Sequence, residues 1–86
     1  MEVSFKPSFI RELNDLPKPL LEEARQKIKL FKDLKNHASL HVHKLKGRME
    51  GQYSFSVNYR YRIVFMWEVK HKSAICLTIG DHAIYE

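Results

Sequence analysis

Eighty-six residues, 44% of them apolar and 12% aromatic, are enough for one domain (residues 1–86) with a small core, and they exclude a disordered chain. A formal net charge of +5 points to a polyanion or an acidic protein as the ligand. The chain has no run of about 18 apolar residues and no basic, apolar leader, so neither a spanning helix nor a secretory signal is expected; with Cys76 as the single cysteine, a reducing cytoplasm fits best.

Val3 and Phe5 alternate with Glu2, Ser4 and Lys6, which predicts a short first strand. Pro7 ends it and, with Ser8 as a capping hydroxyl, suits the opening of a helix carrying Phe9, Leu13 and Leu16 on one stripe. The two prolines within residues 14–19 break that helix. Over residues 20–35 the apolar Leu20, Leu21, Ala24, Ile28, Phe31 and Leu34 recur at three and four, which makes this the clearest helix. Its carboxylates, Glu22 and Glu23, are expected in the first turn and its lysines toward the end, in keeping with the macrodipole; the lysines read first as a solvated face.

Asn36 and His37 are expected to close the helix, and a histidine-rich connector follows. His41 and His43 could share one face of a strand, but no third ligand is placed, and a metal site is not expected. Leu45 anchors a short strand, and residues 47–51 form a turn in which Gly47 and Gly51 tolerate positive φ. Lys44, Lys46 and Arg48 make this connector strongly basic.

The stretch 53–67 reads as two adjacent strands around a turn at 58–60. Tyr53, Phe55 and Val57 share one face and Ser54, Ser56 and Asn58 the other; if the first set faces the helices, the second faces outward. Tyr61, Ile63, Phe65 and Trp67 then alternate with Arg62, Val64, Met66 and Glu68 in a strand expected to have a neighbour on each side. Arg62 is the anomaly, a permanent charge at the mouth of a central strand, explained either by a carboxylate partner or by a ligand. After a turn at 68–73, residues 74–79 form a last strand expected to be buried on both faces, and Gly80 is expected to turn the chain off its end. The predicted fold is α+β: an N-terminal strand and a helical hairpin packed on one face of a small, mainly antiparallel sheet, in the order β-α-α-β-β-β-β.

Lys44-Leu45-Lys46-Gly47, the hairpin with Tyr53 and Tyr61-Arg62-Ile63-Val64-Phe65, and the ending Ile79-Gly80-Asp81-His82-Ala83-Ile84-Tyr85 together resemble the RelE/ParE superfamily of bacterial toxins over nearly the whole chain. The resemblance implies a RelE-like fold and, for RelE-like members, a ribosome-dependent endoribonuclease that cuts mRNA and is restrained by a cognate antitoxin. By position, Arg62 matches an arginine that stabilises phosphate charge, Lys46 a basic RNA contact and Tyr85 a terminal aromatic that positions a base. His43 and His82 match histidines of YafQ-like members. The expected catalytic set is thus His43, Arg62, His82 and Tyr85, with Lys44, Lys46, Arg48, Ser54, Ser56 and Arg60 contacting RNA and with no cofactor or metal.

Two hairpin lysines of RelE are replaced here by Ser54 and Ser56, so the proton transfers would fall to histidine, which titrates near neutrality. The implied chemistry is attack of a ribose 2′-hydroxyl on the adjacent phosphate, with one of His43 and His82 as base and the other as acid. Two rivals share the fold: a ParE-like toxin that acts by binding DNA gyrase, and a catalytically silent homologue. Either way an acidic or amphipathic antitoxin segment is the expected partner, covering the basic face or the helical hairpin.

Overall fold

The computed structural model describes residues 1–81. Strand β1 (Glu2–Phe5) leads into helices α1 (Pro7–Asn14) and α2 (Lys18–Phe31), followed by β2 (His43–Lys44), β3 (Tyr53–Ser56), β4 (Arg62–Val69) and β5 (Ser73–Gly80). The five strands form one sheet in the order β1-β5-β4-β3-β2, parallel between β1 and β5 and antiparallel elsewhere. This is the α+β architecture expected from the pattern of the sequence. Among the described residues, no helix is long and apolar enough to cross a membrane.

Both helices lie on one face, where Phe9, Ala24, Ile28 and Phe31 pack against Phe55, Ile63, Phe65, Ala74, Cys76 and Ile79. Phe31 is the hub. Its ring lies 4.2 Å from Phe55 and 4.7 Å from Phe65, while His37 stacks on it at 4.9 Å. Phe5 and Phe9 stack at 5.7 Å and join the first strand to the first helix.

Several local expectations are corrected. Ser8 caps nothing: the N-cap of α1 is Lys6, which makes no side-chain bond there. Helix α2 begins at Lys18, so Glu22 and Glu23 fall beyond its first turn, and it ends at Phe31 rather than near residue 35. Asp33 leaves the helix in an extended conformation and accepts from the Lys35 N–H, starting a separate 3-10 turn, Leu34–Asn36, on which Leu34 is exposed. Asn36 and His37 do close the helix, because Asn36 Nδ2 donates to the Leu30 carbonyl at 2.9 Å and His37 Nε2 to that of Phe31 at 2.8 Å. These side chains reach two of the last carbonyls of the helix, where backbone partners run short; that of Leu30 also accepts from the Asp33 N–H at 3.1 Å.

Strand β5 has a neighbour on each side but is not buried on both faces. Ala74, Cys76 and Ile79 are buried, while Ile75 and Leu77 are half-buried. A shift in register opposite Val64 and Phe65 leaves Leu77 unpaired, the sign of a bulge. Gly80 stays in the strand opposite Arg62 and does not turn the chain. The left-handed positions fall instead at Gly47 and Gly51, as expected, and at His41 and His71.

β1 stops pairing at Cys76, beyond which the outer edge of β5 is taken up by a helix side chain. Glu12 of α1 accepts from the Thr78 hydroxyl at 2.8 Å and from the Ile79 N–H at 3.3 Å. Burial pushes the Cys76 thiol up to about 12 from 9.0. With almost no thiolate at pH 8 and no exposed surface, Cys76 is expected to resist iodoacetamide in the folded protein and to react fully in urea; labelling followed by mass measurement checks this.

Candidate functional site

On the face away from the helices, alternation and register bring the sequence candidates into rows. His43 lies opposite Ser54, which lies opposite Val64; one step along, Ser56 lies opposite Arg62, which lies opposite Gly80. His43 and Arg62 therefore share a face, with Cα atoms roughly 12 Å apart by strand spacing and rise. A phosphodiester and its ribose fit within such a span.

Arg62 is held by the hairpin turn that precedes it. Its Nη1 donates to the carbonyl of Asn58 and, at 3.2 Å, to that of Tyr61. Asn58 builds the turn: its Oδ1 accepts from the N–H groups of Arg60 at 2.9 Å and Tyr61 at 2.8 Å, and its Nδ2 donates to Glu23 at 2.8 Å. The chain of contacts from α2 through Asn58 to the guanidinium fixes where the charge sits. An arginine bound to neutral carbonyls keeps its full charge, and among the described residues no ion pair involves Arg62. Among the described residues, backbone carbonyls and not a carboxylate hold the guanidinium.

Beside Arg62 is a groove of about 340 Å³ bordered also by Lys27, His41, Ser56, Asn58 and Tyr59. Tyr59 is 88% exposed, the most open aromatic of the hairpin. His41 takes φ +57°, uncommon for a residue with a Cβ. His43 Nδ1 donates to the His41 carbonyl at 2.8 Å. Since a carbonyl only accepts, the Nδ1 carries the hydrogen, and the Nε2 of the neutral ring offers a lone pair that can take a proton.

The other candidates are dispersed. Lys44 lies opposite Tyr53 and so belongs to the helix-bearing face. Lys46 and Arg48 are exposed around the 3-10 turn Gly47–Met49, and Arg60 is exposed with its guanidinium 5.8 Å from the Tyr61 ring centre. Ser56 is half-buried on the expected face. Ser54 is on that face too but is fully buried, with a paired strand on each side, which corrects the expectation that it lies open to a ligand. His82 and Tyr85 lie outside the described residues.

Sequence reasoning missed the roles of Asn58 and Lys27. An asparagine that opens a tight turn carries a recognisable signal, the side chain bonding the backbone two residues on. Lys27 has none, since it is one lysine among several on an otherwise solvated helix. Among the described residues, no group of three His, Cys, Asp or Glu side chains is placed to hold a metal ion.

No family model and no curated protein matches the chain. Solved structures do match over nearly its full length. A chain of the toxin–antitoxin complex RelBE2 from Mycobacterium tuberculosis superposes with a TM-score of 0.74 at 21% identity, covering 94% of this chain and 96% of that one. YafQ from E. coli strain BL21(DE3) gives 0.75 at 14% identity, covering 96% and 94%. The archaeal RelE–RelB complex from Pyrococcus horikoshii OT3 gives 0.70 at 18% identity, covering 93% and 92%. The chain therefore has the α+β fold of the RelE/ParE superfamily toxins. Within that fold it carries Arg62 and His43 on the face opposite the helical hairpin.

Proposed function

We propose that the chain is the toxin of a type II toxin–antitoxin pair and that it cuts mRNA on the ribosome. The observation that carries this reading is Arg62, a guanidinium held by carbonyls at the edge of a groove, with no carboxylate partner among the described residues and with His43 on the same face. In the proposed step the His43 Nε2 removes the proton of a ribose 2′-hydroxyl, whose oxygen attacks the neighbouring phosphorus. The bond from phosphorus to the 5′-oxygen breaks, and that oxygen leaves as a hydroxyl after receiving a proton from a general acid, for which His82, the other histidine of the expected pair, is the candidate. Arg62, with Lys27 on the same groove, stabilises the additional negative charge on the phosphate, where a fixed donor is worth most. The products are a 2′,3′-cyclic phosphate and a 5′-hydroxyl. Tyr85 remains the candidate to stack on a base.

The partner implied is an antitoxin, in keeping with folds such as the YoeB–YefM complex from Staphylococcus aureus, to which this chain is also similar. A net charge of +5 favours an acidic segment in that role. Inducing the chain in growing bacteria and mapping RNA ends tests the proposal. New 5′-hydroxyl ends inside translated messages are the expected result. Gyrase-dependent DNA breaks without new RNA ends would replace it with the ParE-like reading, and neither kind of lesion would leave a silent homologue.

A further inference from the structure

A second hollow, of about 410 Å³, lies on the opposite side of the sheet from Arg62, beyond the C-terminal end of α2. Of the residues that line it, the proposed cleavage uses His43 alone, at the rim. Its walls are unusually rich in rings. Trp67 and Tyr53 are half-buried, with centroids 6.3 Å apart; His71 stands 5.2 Å from Trp67 and His37 6.0 Å from it. Exposed Lys44 and Lys70 flank these rings, and among the described residues no carboxylate lines the hollow. Lys44 reaches this side because the two-residue β2 pairs it with Tyr53.

The tip of the β4–β5 hairpin holds part of this wall under strain. His71 adopts φ +63°, a conformation that favours glycine or asparagine, and its ring meets Trp67 at 71°. A bulky side chain kept at such a position marks a place where local comfort has yielded to another demand.

We propose that this hollow binds one nucleotide of a single-stranded nucleic acid, with the base against the Trp67 and Tyr53 rings and the phosphate between Lys44 and Lys70. An acidic peptide is the other polyanion to consider, but its apolar anchors need aliphatic walls, and among the described residues Ala38 and Val42 alone supply them. Flat rings beside paired cations suit a base and its phosphate, because every base has a π-face and stacking on an aromatic side chain contributes about 1–3 kcal/mol. The hollow shares no lining residue with the groove at Arg62, and His43 is its one link to the proposed cleavage; the rings and lysines that would hold the nucleotide take no part in that step.

Trp67 is the chain's one tryptophan, so its fluorescence reports on the hollow directly. The whole chain is titrated with pentaadenylate carrying 2′-O-methyl groups, which block attack by the 2′-oxygen, and in parallel with its deoxy counterpart. Saturable quenching of Trp67 by the first, or by both, is expected. Arg62→Ala should leave it unchanged. Replacing both Lys44 and Lys70 with alanine, in a variant whose circular dichroism matches the parent, should weaken binding and lower the log–log salt slope by roughly 0.7–1 per lysine. Absence of quenching by both oligonucleotides, quenching indifferent to the two lysines, or equal quenching by decaglutamate would each overturn the proposal.

Discussion

Replacing Arg62 with alanine is expected to lower mRNA cleavage ~10²–10³-fold, the usual loss when a fixed donor to a developing charge is removed. Among the described residues its Nη1 bonds only to carbonyls of its own hairpin, so the variant should fold: the melting temperature is predicted to move by a few degrees while single-turnover cleavage on programmed ribosomes collapses. Arg62→Lys should recover little, since an ammonium on a flexible stem lacks the planar guanidinium that can bond carbonyls through one nitrogen and still present others to a phosphate. Asn58→Ala is the informative companion. It keeps the main-chain carbonyl that Arg62 uses but removes the side-chain bonds to Glu23, Arg60 and Tyr61, so its loss should be smaller and accompanied by a modest loss of stability. Cleavage by Arg62→Ala at the parental rate would remove the guanidinium from the mechanism.

The second large effect is on stability. Phe31→Ala should cost about 3–5 kcal/mol, the range for emptying a fully buried aromatic site. Phe31 touches both organising strands through Phe55 and Phe65, and it supports the His37 ring that helps to close α2, so little can collapse into the space left. Small domains have only about 5–15 kcal/mol in total, so the variant should unfold at much lower urea concentration, with its midpoint near that of a marginal protein. A midpoint shift worth less than about 1 kcal/mol would mean that the cluster around Phe31 is loosely packed.

Much of this architecture was legible because side-chain period reports which face a residue takes. Tyr53, Phe55, Ile63 and Phe65 alternate with Ser54, Ser56, Arg62 and Val64, and that alone sets the sheet against the helices. Period says nothing of depth, which is why Ser54 read as an outward contact and proved buried. Nor does it register a bulge, so the half-buried Ile75 and Leu77 read as core. At the candidate site, the sequence singled out Arg62 and His43 by type but could not show what holds them, because the partners are the carbonyls of Asn58, Tyr61 and His41, common to every residue. The ring-lined hollow was invisible for a related reason. His37 and Trp67 are 30 positions apart in sequence, and nothing in the turn signals of residues 68–73 marks His71 as left-handed.

Glu12 has a consequence for how these molecules behave in a crowd. An unpaired margin of a long strand is a template on which a second copy can polymerise, and β5 would offer one where β1 runs out. The carboxylate occupies that margin, taking the Ile79 amide and the neighbouring Thr78 hydroxyl, so an incoming backbone meets a charge where it would need a hydrogen-bond donor. The two outermost strands span only four and two residues, while both eight-residue strands are interior. The protein thereby keeps its longest ladders out of reach of self-association, and its one soft flank carries a built-in stopper.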